Sequence, residues 1–108
     1  MNAEDHPLQD SWAELTAVDK TIHEPARLAV LTILSVVEKA DFLYLRRATQ
    51  LTKGNLSAHL QKLEDAGLIE IEKTFEGKTP RTLCSLTDDG KMAFDAYKHQ
   101  IKGMFDEE

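Results

Sequence analysis

The sequence predicts a mainly α-helical domain with one small β-hairpin. Three observations carry that prediction. Apolar residues recur at helical spacing through most of the 108 positions. Strict apolar–polar alternation occurs from Ile69 onward, followed by a Gly77/Pro80 turn and a second strand-like run, Arg81 to Leu86. Two threonines, Thr52 and Thr87, stand directly before amphipathic runs, where a hydroxyl can accept from a free amide of the first helical turn.

Each element follows from its residues. Pro7 opens a first helix whose narrow apolar stripe is Leu8, Trp12 and Leu15, extended by Val18; such a helix lies on something rather than inside it. Pro25 suits the first turn of a second helix, from about Glu24 to Lys39. Leu28, Leu31, Leu34 and Val37, widened by Val30, Ile33 and Val36, make this the central core helix. Asp41 breaks the pattern, Phe42-Leu43 can form a very short strand, and a brief helix runs from about Leu43 to Thr49 with Arg46 and Arg47 outside. After the Gln50-Leu51 connection, Thr52 caps a helix that buries Leu56, Leu60 and Leu63 and ends at Gly67. The hairpin that follows has a long tip decorated by Lys78 and Arg81. Thr87, Asp88 and Asp89 start the last helix, where the acids meet the positive helix end. Phe94, Tyr97, Ile101 and Met104 recur there at 3-4-3 spacing beside Phe105, the pattern of a helix packing along another helix.

Composition narrows the function. Hydrophobic residues make up 42% and charged residues 30%, enough for a packed core. One cysteine, Cys84, excludes an intrachain disulfide and a Cys-rich zinc site and fits a reducing compartment. In its strand Cys84 reads as a small buried hydrophobe before it reads as a redox switch. The four histidines, His6, His23, His59 and His99, form no i, i+3/i+4 pair, so no metal site is expected. No catalytic triad order, phosphate loop or nucleotide fingerprint appears, so neither an enzyme nor a cofactor is expected. No apolar run approaches a membrane span, and the acidic N-terminus has no apolar signal segment. The expected location is the cytoplasm.

The net charge of −6 argues at first against nucleic acid. Its distribution argues otherwise. Residues 1–41 carry 3 basic and 8 acidic side chains (net −5), residues 83–108 carry 3 and 6 (net −3), and residues 42–82 carry 7 and 5 (net +2). A docked phosphate feels the local field, not the distant flanks.

Two short helices joined by a tight connection and followed by a basic hairpin describe a winged helix-turn-helix. The polar face of the second of these helices offers Asn55, Ser57, His59 and Gln61, short donors and acceptors suited to base edges in a major groove. Its N-terminus, Thr52-Lys53-Gly54, offers free amides to a phosphate, with Gly54 permitting close approach. Lys62, Arg46 and Arg47 can hold flanking phosphates, and Lys78 and Arg81 can reach an adjacent minor groove or backbone. A plain solvated face would have much the same composition; the order of elements is what favours DNA.

The run LTKGNLSAHLQKLEDAGLIEIEKTFEGKTPRTLCSLTDDG resembles the stretch from recognition helix to wing in small winged-helix transcriptional regulators of bacteria and archaea, related to the MarR and ArsR classes. The upstream segments HEPARLAVLTIL and DFLYLRRATQLT resemble that group's first core helices, so the likeness spans roughly residues 22–95. It implies a homodimer on a two-fold-related DNA site, with the helix matching Thr52 to Asp65 in the major groove and the hairpin matching Glu70 to Leu86 as the wing. ArsR-type metal sensors carry paired Cys or Asp/His ligands; this chain lacks such a Cys pair, so metal sensing is not implied.

The expected organisation is therefore an N-terminal packing helix (1–21), a DNA-binding core (22–86) and a C-terminal dimerisation helix (87–108). The expected partners are double-stranded DNA, a second copy of the chain and room for an unidentified small-molecule effector. Leu8, Trp12, Leu15, Phe94, Tyr97, Ile101, Met104 and Phe105 are the expected dimer residues, although the last helix can also fold back on its own domain. The alternative for the whole surface is a winged helix that binds a protein partner and no DNA.

Overall fold

Glu24 caps the first described helix. Its carboxylate accepts from the amides of Ala26 (2.7 Å) and Arg27 (3.2 Å), and Pro25 occupies the first turn, where no amide is needed. The computed structural model describes residues 19–106. Helix α1 is Pro25–Val36, strand β1 Ala40–Asp41, α2 Phe42–Thr49, α3 Lys53–Asp65, β2 Ile69–Glu76, β3 Thr79–Leu86 and α4 Asp88–Phe105. All strands pair antiparallel in the order β1-β3-β2. Among the described residues no helix is long and apolar enough to cross a membrane.

Three boundaries differ from the sequence reading. Helix α1 stops at Val36, not Lys39, because Val37 turns extended and feeds β1. The short strand lies at Ala40–Asp41 rather than Phe42-Leu43; Ala40 pairs with Cys84 and Asp41 with Leu83. Asp41 then caps α2 by accepting from the amides of Leu43 (2.6 Å) and Tyr44 (3.2 Å), so Phe42 is already helical. The hairpin tip is not long. Only Gly77 and Lys78 join Glu76 to Thr79, with Gly77 at φ 64°, the left-handed first position that a two-residue turn of this kind requires.

The core sits where α1, α3 and the sheet meet. Val30, Leu31, Leu45, Leu56 and Leu63 are fully buried, and Cys84 fills a gap under β3. Each such leucine removed from water contributes on the order of 2 kcal/mol. Gly67, at φ 77°, ends α3 as the sequence predicts.

The predicted N-terminal helix and its Leu8, Trp12 and Leu15 lie outside the described residues; of segment 1–21 only residues 19–21 are described, and they are not helical. In α4, Phe94, Tyr97 and Met104 are buried within the chain, Ile101 is half-buried and Phe105 is exposed. Tyr97 Oη lies 2.6 Å from His23 Nδ1, tying α4 to the turn before α1. Phe94, Tyr97 and Met104 are thus covered within their own chain.

Candidate nucleic-acid interface

Helices α2 and α3 meet through a three-residue turn. Gln50 takes the left-handed conformation (φ 59°), unusual for a residue with a long side chain, and donates from its Nε2 to the Arg47 carbonyl (2.8 Å). Thr52 caps α3 by accepting from the Asn55 amide at 3.1 Å. The Thr52 side chain is therefore engaged within its own helix.

The exposed residues of α3 are Lys53, Gly54, Asn55, Ser57, Ala58, Gln61, Lys62 and Asp65. A side chain placed at Gly54 would meet nothing within 4 Å, so the approach to this turn is open. Gln61 already donates to Glu64 (3.2 Å) and Asp65 (2.9 Å), which orients its amide group. Arg46 and Arg47 are exposed in the last turn of α2, and Arg46 shares a surface hollow with Lys53. Ala58 is exposed among them and has no polar atom in its side chain.

His59 does not join them. Its Nδ1 lies 3.0 Å from Arg27 Nη1 and 3.2 Å from Glu24 Oε2. Arg27 is buried and also donates to the carbonyls of Thr21 (2.6 Å) and Lys20 (3.4 Å). His59 thus fastens α3 to the start of α1. Partial burial alone would raise the Glu24 carboxyl; the amides of Ala26 and Arg27, with the charges of His59 and Arg27, outweigh it and hold Glu24 below its usual range.

The hairpin sorts its side chains by face. Strand alternation puts Ile69, Ile71, Lys73 and Phe75 on one side of β2. Their β3 partners Leu86, Cys84, Thr82 and Pro80 share that side. The first pairs are core; Lys73 and Thr82 line the open groove between β2, β3 and α3, with Ser57 and Gln61 across it. The acids Glu70, Glu72 and Glu76 occupy the other face. There Lys39 binds Glu72 at 3.3 Å. Arg81 binds Asp41 at 2.6 Å and also pairs with Glu76. Its remaining Nε is buried and meets no acceptor among the described residues. Arg81 is therefore committed inside the protein, whereas Lys78 is exposed in the turn.

The sequence pattern of the winged helix DNA-binding domain family matches residues 26–105. The chain belongs to this family. An uncharacterized protein of Methanocaldococcus jannaschii is 34% identical over 82 residues, covering 76% of this chain and 89% of the relative. The structure of a transcriptional regulator homologue from Pyrococcus horikoshii is 30% identical, with TM-score 0.78 over 84% of this chain and 92% of that one. A MarR-family regulator structure from Enterococcus faecalis, 23% identical, has TM-score 0.71 over 92% and 89% and so shares the fold. In this winged helix α2 and α3 are the helix-turn-helix, and β2 and β3 are the wing.

The winged helix brings together most residues that the sequence singled out. Arg46, Arg47, Lys53, Gly54, Asn55, Ser57, Gln61, Lys62 and Lys78 remain at the exposed surface of the helix-turn-helix and wing. His59 and Arg81 are engaged with other protein groups. Lys73 and Phe75 were missed, yet alternation counted forward from Ile69 places both on the groove side of β2. Among the described residues no group of His, Cys, Asp and Glu could hold a metal ion.

Proposed function

We propose that this protein is a sequence-specific DNA-binding regulator of transcription that acts as a homodimer. Helix α3 enters the major groove, and the wing reaches the neighbouring minor groove or backbone. The observation that supports this reading most is the segregation of charge. The exposed face of α3 carries uncharged donors and acceptors with Lys53 and Lys62, its two acids, Glu64 and Asp65, are confined to the C-terminal turn where they accept from Gln61, and the groove side of the wing carries Lys73. The wing's acids lie on the opposite face, two of them paired with Lys39 and Arg81. A chain of net charge −6 is thereby left with one face fit for phosphates.

Asn55, Ser57 and Gln61 read base edges; Lys53, Lys62, Arg46, Arg47 and Lys78 hold phosphates. Two copies present two such helices to half-sites about one helical turn apart, or a small multiple of it. Phe105, exposed at the end of α4, is available to the dimer seam.

Fluorescence anisotropy against a pool of genomic fragments, across a salt series, tests the reading. The full chain should bind a subset of duplexes with an affinity that falls steeply with salt. Lys53→Glu with Lys62→Glu should abolish binding. A folded dimer that binds no duplex at low salt, yet captures a protein through the same face, would replace this function with a protein-interaction role.

A further inference from the structure

We infer that Phe75 is an apolar wedge that the wing drives into the DNA minor groove, opening a base step beside the site held by α3. This rests on the DNA-binding reading and adds a deformation and a sequence preference to it. Phe75 is the last apolar residue of β2 and is 69% exposed, at the far end of the face that begins with buried Ile69 and half-buried Ile71. Its cross-strand partner is Pro80. The ring therefore projects beyond the core on the side of the sheet that faces α3, with a rigid residue beside it on the neighbouring strand.

The surroundings select DNA as the occupant. Lys73 precedes Phe75 on the same face, and Lys78 sits in the turn beyond it, so cations bracket the ring. Glu76, the acid next to it, points to the other face and is paired with Arg81. The tip is narrow, because the turn has only two residues and one is Gly77. The minor groove is only about 6 Å wide, so a slim tip is a condition of entry. With Arg81 held by Asp41 and Glu76, the tip offers no guanidinium to the groove floor. What it offers is a flat apolar side chain, the type that partly unstacks a step and bends the duplex away. Pyrimidine–purine steps open most readily, so such a step is expected under the wing.

The test uses duplexes recovered by the full chain from a randomised pool. 2-Aminopurine is placed at successive flanking positions, and donor and acceptor dyes are attached at the ends. Wild type should raise 2-aminopurine emission at one flanking step and shorten the end-to-end distance. Phe75→Ala, at an exposed position, should keep the fold, bind about tenfold more weakly and lose both signals. Phe75→Leu should keep them in part. Phe75→Lys should bind through charge yet leave the step stacked. If Phe75→Ala distorts DNA as wild type does, or if wild type binds without distorting, the wedge is overturned and the DNA-binding reading stands. If wild type binds no duplex, both fall. If Phe75→Ala changes only the oligomeric mass, Phe75 belongs to a protein contact and the wedge is overturned.

Discussion

The guanidinium of Arg81 lies 2.6 Å from the carboxylate of Asp41, joining the wing to the cap of α2. One carboxylate serves two elements, since Asp41 also accepts from the amides of Leu43 and Tyr44. Arg81 thus ties the wing to the helix-turn-helix, with its guanidinium engaged by two carboxylates of the chain itself. Arg81→Ala and Asp41→Asn should each destabilise the fold by about 1–2 kcal/mol. The double variant should lose less than the sum, because both remove one interaction. Thermal melts of the four proteins check this. If Asp41→Asn is neutral while Arg81→Ala weakens DNA binding alone, Arg81 is a DNA contact after all.

The same pair gives an acid dependence. Partial burial would raise the Asp41 carboxyl, but the Tyr44 and Leu43 amides and the Arg81 charge outweigh it, so Asp41 titrates below its ordinary 3.8. The stability tied to its charge is therefore complete above that value and lost as pH falls through the lower folded value. Glu24 behaves alike below its ordinary 4.5. Urea midpoints should be flat from neutral pH to about 5 and then decline. Asp41→Asn should show a shallower decline; an unchanged profile would remove Asp41 from the acid response.

His59 separates anchoring from reading. Its Nδ1 faces Arg27 and Glu24 inside the chain, so His59→Ala should cost about 1 kcal/mol of stability and leave sequence preference intact. Gln61→Ala and Asn55→Ala should do the reverse, relaxing one position of the site by about 1–3 kcal/mol each. Selection from a randomised duplex pool distinguishes them. A changed profile for His59→Ala would return this residue to the reading set.

The contrast shows what a sequence of this kind makes legible. Caps and periodicity are local, so Thr52, Gly67, Thr87 and the Leu56-Leu60-Leu63 stripe were read correctly. The two-residue strand at Ala40–Asp41 exists only because β3 is there to pair with it, more than forty positions later. Arg81 is illegible for the same reason, since its partner Asp41 is supplied by the fold. His59 is half legible, open between a DNA contact and a hydrogen-bonded surface group until the fold supplies Arg27 and Glu24. It stands three residues after Leu56 and four before Leu63, hence on the flank of the buried stripe rather than the outer face.

Cys84 is predicted to be inert in the native state. Burial, with a smaller contribution from the Glu64 charge, pushes its thiol up to about 11. At pH 7 the thiolate then amounts to about one molecule in ten thousand. A colorimetric disulfide reagent should label Cys84 only as fast as the chain opens, and fully once it is unfolded in urea. Cys84→Ser should place a hydroxyl in an apolar site and cost about 1–3 kcal/mol. Rapid labelling of the folded protein would instead make the thiol a candidate sensor.

Two glycines of α4 should respond in opposite directions. Thr87 Oγ1 donates to the Gly67 carbonyl (2.6 Å) and accepts from the Gly90 amide (2.9 Å), while the Thr87 amide donates to Leu68 (3.1 Å). The start of α4 is thereby drawn onto the chain just after α3, and Gly90 is buried there. A Cβ at Gly90 would stand 1.9 Å from the Leu68 carbonyl oxygen, a backbone atom that no side-chain rotation can move away. Gly90→Ala must push α4 off the α3–β2 junction and should cost about 3 kcal/mol or more, or prevent folding. Gly103 lies in the same helix with nothing within 4 Å of a Cβ. Gly103→Ala should stabilise the helix by up to about 1 kcal/mol. Paired denaturation curves decide the matter: equal effects of the two substitutions would mean that helix propensity, not the Leu68 contact, governs Gly90.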